Sequence, residues 1–156
     1  MIDQLSFSLY SCLTFLFFPF SKIVIKWRIK RGKEHAIRWR EKLGEPSVEK
    51  PSGKLVWLHA VGLGEVLALR GLILELHKKE GNLNFLVTSS TVLSAEVFAK
   101  NIPPKTIHQF LPYDVKIYGK RFLRHWKPDL VIWSEQDVWP GLSCQASNFG
   151  IKQVLV

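Results

Sequence analysis

Apolar and polar positions follow different rules in different parts of this chain. From Gln4 to Ser21 the residues are uncharged and mostly apolar, with LSFSLYSCLTFLFFPF at the heart of the run and Pro19 near its end. From Leu55 onward short apolar runs alternate with stretches of helical spacing. LVWL (Leu55 to Leu58) reads as a buried strand, and Glu65 to Lys79 then places Val66, Leu69, Ile73 and Leu76 along one helical face before Lys78, Lys79 and Gly81 end it. The same alternation predicts a strand at Phe85 to Val87, a helix at Val92 to Asn101 and a strand at His108 to Leu111. A helix at Val115 to Trp126, a strand at Leu130 to Trp133, a helix from about Trp139 and a last strand, QVLV, complete the series. Strands that alternate with helices pair in parallel through right-handed crossovers, so the sheet is covered on both faces. The expected fold is therefore a Rossmann-like α/β domain over residues 54–156. A hydrophobic membrane anchor (1–21), a basic membrane-proximal helix (22–44) and a Pro, Gly and Ser-bearing linker (45–53) precede it.

Length and composition agree with that division. The 156 residues allow one compact domain with a short appendage, and 47% hydrophobic against 22% charged residues exclude disordered and low-complexity classes. Cys12 and Cys144 make neither a disulfide framework nor a metal knuckle, which suits a reducing compartment. The net charge of +9 is a local feature: nine Lys or Arg fall between Lys22 and Lys42 against only Glu34 and Glu41. An apolar run with a basic flank holds a membrane whose cytoplasmic face is anionic. Spanning takes about 20 apolar residues, and with Ser6, Ser8, Ser11 and Thr14 inside it this run fits a span or a shallow in-plane anchor equally. Asp3 stands where a signal peptide needs positive charge, so the segment is expected to be retained, with the basic cluster and all that follows facing the cytoplasm. Concentration of the cations beside the anchor argues against nucleic acid as a partner.

The polar residues then fall in one place. His59, Gly62, Gly64 and Glu65, then Thr88 to Thr91, then Tyr113 and Asp114, then Ser134, Glu135 and Asp137 each follow the carboxyl end of an expected strand, the edge where open α/β sheets bind ligands. HAVGLGE (His59 to Glu65) suits an anion at a helix N-terminus. It is not a dinucleotide fingerprint, because Leu67 occupies the third glycine position. Glu65 has two readings, a carboxylate favoured by the helix dipole and a general base for a hydroxyl. Thr88 and Ser90 lie in TSST, which can cap the next helix or bond a sugar or phosphate. Asp114 is expected to cap the helix that follows it. EQDVWP (Glu135 to Pro140) puts two carboxylates beside an indole, and Trp139 also reads as packing. His108 and His125 read as packing or surface residues.

The ordered set REKLG (Arg40 to Gly44), LVWLHAVGLGE (Leu55 to Glu65), VTSST (Val87 to Thr91), FLPYD (Phe110 to Asp114) and KRFLRHWKPDLVIWSEQDVWP (Lys120 to Pro140) resembles the N-terminal half of the 3-deoxy-D-manno-octulosonic acid (Kdo) transferases. That resemblance implies the N-terminal domain of a GT-B glycosyltransferase of lipopolysaccharide biosynthesis. Such an enzyme moves Kdo with inversion from CMP-Kdo to a lipid A precursor at the cytoplasmic face of the inner membrane, without metal or cofactor. It implies Glu65 as general base. His59, Gly62, Gly64, Thr88, Ser90, Asp114, Glu135 and Asp137 would bind or support the acceptor, and Lys22, Lys26, Arg28, Lys30 and Arg31 would meet anionic lipid. Gly62, Ser94, Asp137 and Gly141 depart from the Ser, Gly, Glu and Asn usual in the family. The resemblance also implies a second Rossmann-like domain for the CMP-sugar donor, outside these residues. The alternative expectation is thus a truncated, inactive acceptor-binding module at the membrane, or one half of a split enzyme.

Overall fold

The structure is a computed structural model that describes residues 4–134 and 138–156, with side chains from residue 8 onward. The chain opens with a long apolar rod: α1 (Gln4–Phe17), a 3-10 turn at Phe18–Phe20 and α2 (Ser21–Lys30). Pro19 sits in the first turn of the 3-10 segment, where its missing N–H costs nothing, so the rod continues past it.

The basic stretch 22–44 is not one helix. After Lys30 the backbone turns at Gly32, which takes a left-handed φ of +66°, and Glu34 folds back onto Arg28 at 2.9 Å. A second 3-10 turn, Arg38–Leu43, follows and ends at Gly44 with φ +72°. Glycine at such a terminus avoids the Cβ penalty of the left-handed region, so Gly32 and Gly44 break the periodicity that charge alone does not reveal.

The α/β domain holds β1 (Leu55–His59), α3 (Leu63–Lys79), β2 (Asn84–Ser89), α4 (Val92–Ala99), β3 (Thr106–Phe110), α5 (Lys116–Trp126), β4 (Leu130–Trp133), α6 (Pro140–Asn148) and β5 (Lys152–Leu155). All strands are parallel and their order is β3-β2-β1-β4-β5. Alternate side chains of each strand serve opposite faces. Leu55, Trp57, Leu86, Val131 and Trp133 pack with Phe122 and Trp126 of α5 and Leu142 of α6. Val56, Leu58, Phe85, Val87 and Ile132 pack with Val66, Leu69 and Ile73 of α3 and Phe98 of α4. Each fully buried apolar side chain of this kind contributes about 1.5–3 kcal/mol, which fixes the register and hence which residues reach the carboxyl edge. A smaller cluster of Ile25, Leu43, Val115 and Tyr118 ties the N-terminal rod to the domain.

Candidate functional site at the carboxyl edge of the sheet

The strand order reverses between β1 and β4, and in a doubly wound sheet the crevice outside that reversal is where ligands sit. The loops leaving the strands are stitched side by side there. Ala60 N–H donates to Thr88 O at 3.1 Å, Ser134 N–H to His59 O at 3.1 Å and Leu111 N–H to Ser89 O at 3.0 Å.

Glu65 lies in the first turn of α3, half-buried, and its Oε2 accepts the Val61 N–H at 2.8 Å. The carboxylate thus folds back over its own helix terminus, as a capping residue does. Ser94 reaches the same loop, its Oγ donating to Val61 O at 3.3 Å, and Thr91 caps α4 by accepting the Ser94 N–H at 3.1 Å. Gly62 is the N-cap of α3 with an ordinary extended backbone, and nothing lies within 4 Å of the position a Cβ would take on Gly64. That open space leaves the helix N-terminus approachable.

His59 and Thr88 lie below the rim. Both are fully buried, with His59 Nδ1 at 2.9 Å from Thr88 Oγ1 and the Trp57 indole N–H donating to the same oxygen at 2.8 Å. Ser90 is half-buried, and its carbonyl accepts from Lys42 Nζ at 2.8 Å.

Asp114 does not cap α5. Val115 is the N-cap there, without a side-chain bond, and Asp114 turns instead to α6, accepting the Gly141 N–H at 2.7 Å and the Tyr10 hydroxyl at 2.5 Å. Pro140 at the first position of α6 has no N–H to offer, so the next amide receives the carboxylate. Burial pushes the Asp114 carboxyl above the usual carboxylate range, with the bonds from Tyr10 and Gly141 working against it. Glu135 and Asp137 lie outside the described residues.

Lys42 is the residue that sequence reasoning missed. Counted with the basic belt, it is buried, and burial pushes its ammonium down to about 8 despite the nearby carboxylates of Glu34 and Glu41. Its neighbours Arg28, Glu34, Ser90, Tyr113 and Trp139 line a cavity of about 310 Å³ between α2 and the sheet edge. Burial, with Glu34 nearby, raises the Tyr113 hydroxyl to about 12. The one available signal was its place in REKLG, directly before a turn glycine. Of the other cations, Lys22, Lys26, Lys30 and Arg31 are exposed, Arg31 over the Trp27 ring at 3.8 Å, whereas Arg28 is spent on Glu34.

A parallel sheet of this order, with a carboxylate at the reversal and a cavity of mixed charged and apolar lining beside an apolar rod, defines a Rossmann-like α/β domain. The family model for 3-deoxy-D-manno-octulosonic-acid transferase (kdotransferase) matches residues 37–156, and the chain belongs to that family. It is 40% identical over 142 residues to the probable mitochondrial 3-deoxy-D-manno-octulosonic acid transferase of Arabidopsis thaliana, covering 91% of this chain and 32% of that protein. With the 3-deoxy-D-manno-octulosonic acid transferase of Rickettsia bellii the identity is 36% over 140 residues, 90% of this chain and 34% of the relative. The chain therefore spans about a third of the length of these relatives. No solved structure matches it.

Proposed function

We propose that this chain is the acceptor side of a Kdo transferase, using CMP-Kdo as donor and a lipid A precursor as acceptor at the cytoplasmic face of an inner membrane. Glu65 Oε takes the proton from an acceptor hydroxyl while that oxygen forms a bond to the anomeric carbon of Kdo. The bond from that carbon to the CMP phosphate oxygen breaks on the opposite face, and CMP leaves with the electron pair, so the anomeric centre inverts. In the whole enzyme a second Rossmann-like domain holds the CMP-Kdo donor. Glu135 and Asp137 orient the acceptor or support the base, and Lys42, Ser90 and Tyr113 offer polar contacts in the adjoining cavity.

The observation that carries this reading is the position of Glu65: half-exposed at the helix terminus beside the strand reversal, held by the Val61 amide. A held carboxylate needs little reorganisation to act, and general-base help is worth about 10²–10⁴-fold in rate. In the whole enzyme Glu65→Gln keeps an oxygen for the Val61 N–H, so the fold should persist while kcat falls by about that factor. Transfer at the parental rate by a folded Glu65→Gln enzyme rejects Glu65 as the base.

A further inference from the structure

Lys42 is a buried cation without an ion-pair partner. Only 4% of it is exposed, and its ammonium donates to the Ser90 carbonyl oxygen at 2.8 Å. The carboxylates around it are taken. Glu34 pairs with Arg28 at 2.9 Å, and Glu41 holds the Arg38 guanidinium through both its oxygens, at 2.8 and 2.9 Å. Among the described residues no carboxylate pairs with Lys42. An ammonium has three protons to give, so two remain, and a lysine is almost never fully buried unless it is paired. A second buried donor is in the same position: the Trp139 indole Nε1 has no acceptor among the described residues. Lys42 stands in the 3-10 turn and Trp139 before α6, yet both line the cavity of about 310 Å³ between α2 and the sheet edge. Arg28 and Glu34 line it too, and their charges offset each other, so the net charge of the lining is that of Lys42.

We infer that this cavity is a phosphomonoester subsite, in which Lys42 and the Trp139 indole donate to the phosphate oxygens and the apolar lining receives the sugar that carries the phosphate. A phosphomonoester brings three acceptor oxygens and about two negative charges, which matches two spare ammonium protons and one indole N–H. Phe17, Leu111 and Tyr113 supply the apolar lining, which a bare ion would leave unfilled. That the sugar belongs to the acceptor rests on the glycosyl-transfer reading above. Burial holds the Lys42 ammonium down to about 8. Arg28 of α2, Glu34 of the turn after it, Glu41 with its partner Arg38, His108 of β3 and Tyr113 surround it. Tyr113, raised to about 12, keeps its proton, and His108, pushed down to about 3, stays neutral, so Lys42 is the group that titrates just above neutrality. An anion favours the charged amine, so the phosphate is bound with Lys42 protonated and released as pH rises.

The test uses the full-length protein, isotope-labelled at nitrogen, in a phosphate-free polyoxyethylene detergent. The Trp139 indole N–H resonance, assigned by its loss in Trp139→Phe, should move saturably with glucosamine 1-phosphate and stay still with glucosamine. A resonance that ignores the phosphosugar, or follows both sugars alike, overturns the inference. Lys42→Gln should weaken phosphosugar binding at least about tenfold, and Lys42→Arg should recover most of the loss. A folded Gln variant of parental affinity rejects Lys42 as the partner of the anion. The parent alone supplies a check that needs no variant to fold: affinity should fall about tenfold from about pH 7 to about pH 9, and a level profile rejects the site. Inorganic phosphate and glycerol 3-phosphate, the headgroup of phosphatidic acid, separate the sources. Both should bind at least about tenfold more weakly than the phosphosugar, because neither fills the apolar lining. Parity of either one with the phosphosugar gives the cavity to a free anion or a lipid headgroup and overturns the assignment to a sugar. Transfer is not read in any arm, so failure here leaves the role of Glu65 standing, and full activity of Glu65→Gln leaves this binding result standing.

Discussion

The Tyr10 hydroxyl donates to Asp114 Oδ2 at 2.5 Å across 104 positions of sequence, and the same oxygen accepts the Gly141 N–H at 2.7 Å. One carboxylate thus joins α1, the loop before α5 and the start of α6. Its folded pKa is raised, chiefly by burial. A carboxyl raised in this way contributes stability that is fully present below the ordinary carboxylate pKa and is lost as pH rises through the folded value. Asp114→Asn keeps an acceptor and cannot ionise, so urea unfolding at about pH 8 should find it at least as stable as the parent. Asp114→Ala, which strands the Tyr10 hydroxyl and the Gly141 amide, should lose about 1–3 kcal/mol. An Asn variant as weak as the Ala variant would show that the negative charge itself is needed.

Gly44 ends the 3-10 turn of the basic segment with φ +72°, and a Cβ there would collide with the backbone carbonyl of Tyr118. The left-handed conformation costs a non-glycine residue about 1–2 kcal/mol, and overpacking against rigid backbone adds about 1–3 kcal/mol. Gly150 is the internal control, since it shares φ +72° but has nothing within 4 Å of its Cβ position. Gly44→Ala should therefore lower the denaturation midpoint clearly more than Gly150→Ala. Equal losses would remove the close approach to Tyr118 as the reason for glycine at the end of REKLG.

The strands and helices of the α/β domain were legible because burial on both faces leaves long, regular apolar patterns. LVWL is extended by one residue, to His59, and the last strand begins one residue earlier than QVLV. The carboxyl-edge placement of Glu65, Ser90 and Asp114 followed from chain order alone. What escaped notice depends on contacts distant in sequence. Capping rules look three residues ahead of Asp114, whereas its carboxylate serves α6 and α1. Lys42 counts as one more positive charge until Phe110 and Tyr113 close over it. Thr88 looks like a rim hydroxyl, yet the strand carries it one step below the rim into the core.

His108 Nδ1 lies 3.1 Å from Arg38 Nη2 and its Nε2 lies 2.8 Å from Ser89 Oγ. Arginine only donates, so Nδ1 accepts and the Nε2–H donates to Ser89, which fixes a neutral ring. Burial first, then the charges of Arg38 and Lys42, push its pKa down to about 3. A histidine depressed in this way stabilises the fold above the ordinary imidazole pKa and loses that contribution as pH falls from about 6.5 towards the folded value. Stability of the parent should thus decline through that window, and His108→Gln, which cannot titrate, should decline less steeply. Urea midpoints measured along an acid series decide it, and parallel slopes would place the acid sensitivity elsewhere.

Thr88 offers a choice between a structural and a substrate-binding role. Its hydroxyl oxygen accepts the Trp57 indole N–H at 2.8 Å and lies 2.9 Å from His59 Nδ1, all three residues being fully buried. Thr88→Val preserves the shape but removes the acceptor, leaving an indole N–H in the core that costs about 1–3 kcal/mol. Thr88→Ser keeps the oxygen and should recover most of that stability, losing only the share of one methyl group, about 1 kcal/mol. A hydroxyl that touched the acceptor would behave differently: Val would then spare the denaturation midpoint and raise KM in the whole enzyme. The burial of Thr88 predicts the first pattern, a large fall in midpoint for Val, rescue by Ser, and a KM for the Ser enzyme equal to that of the parent. The His59 carbonyl in turn receives the Ser134 N–H at the carboxyl edge of the sheet.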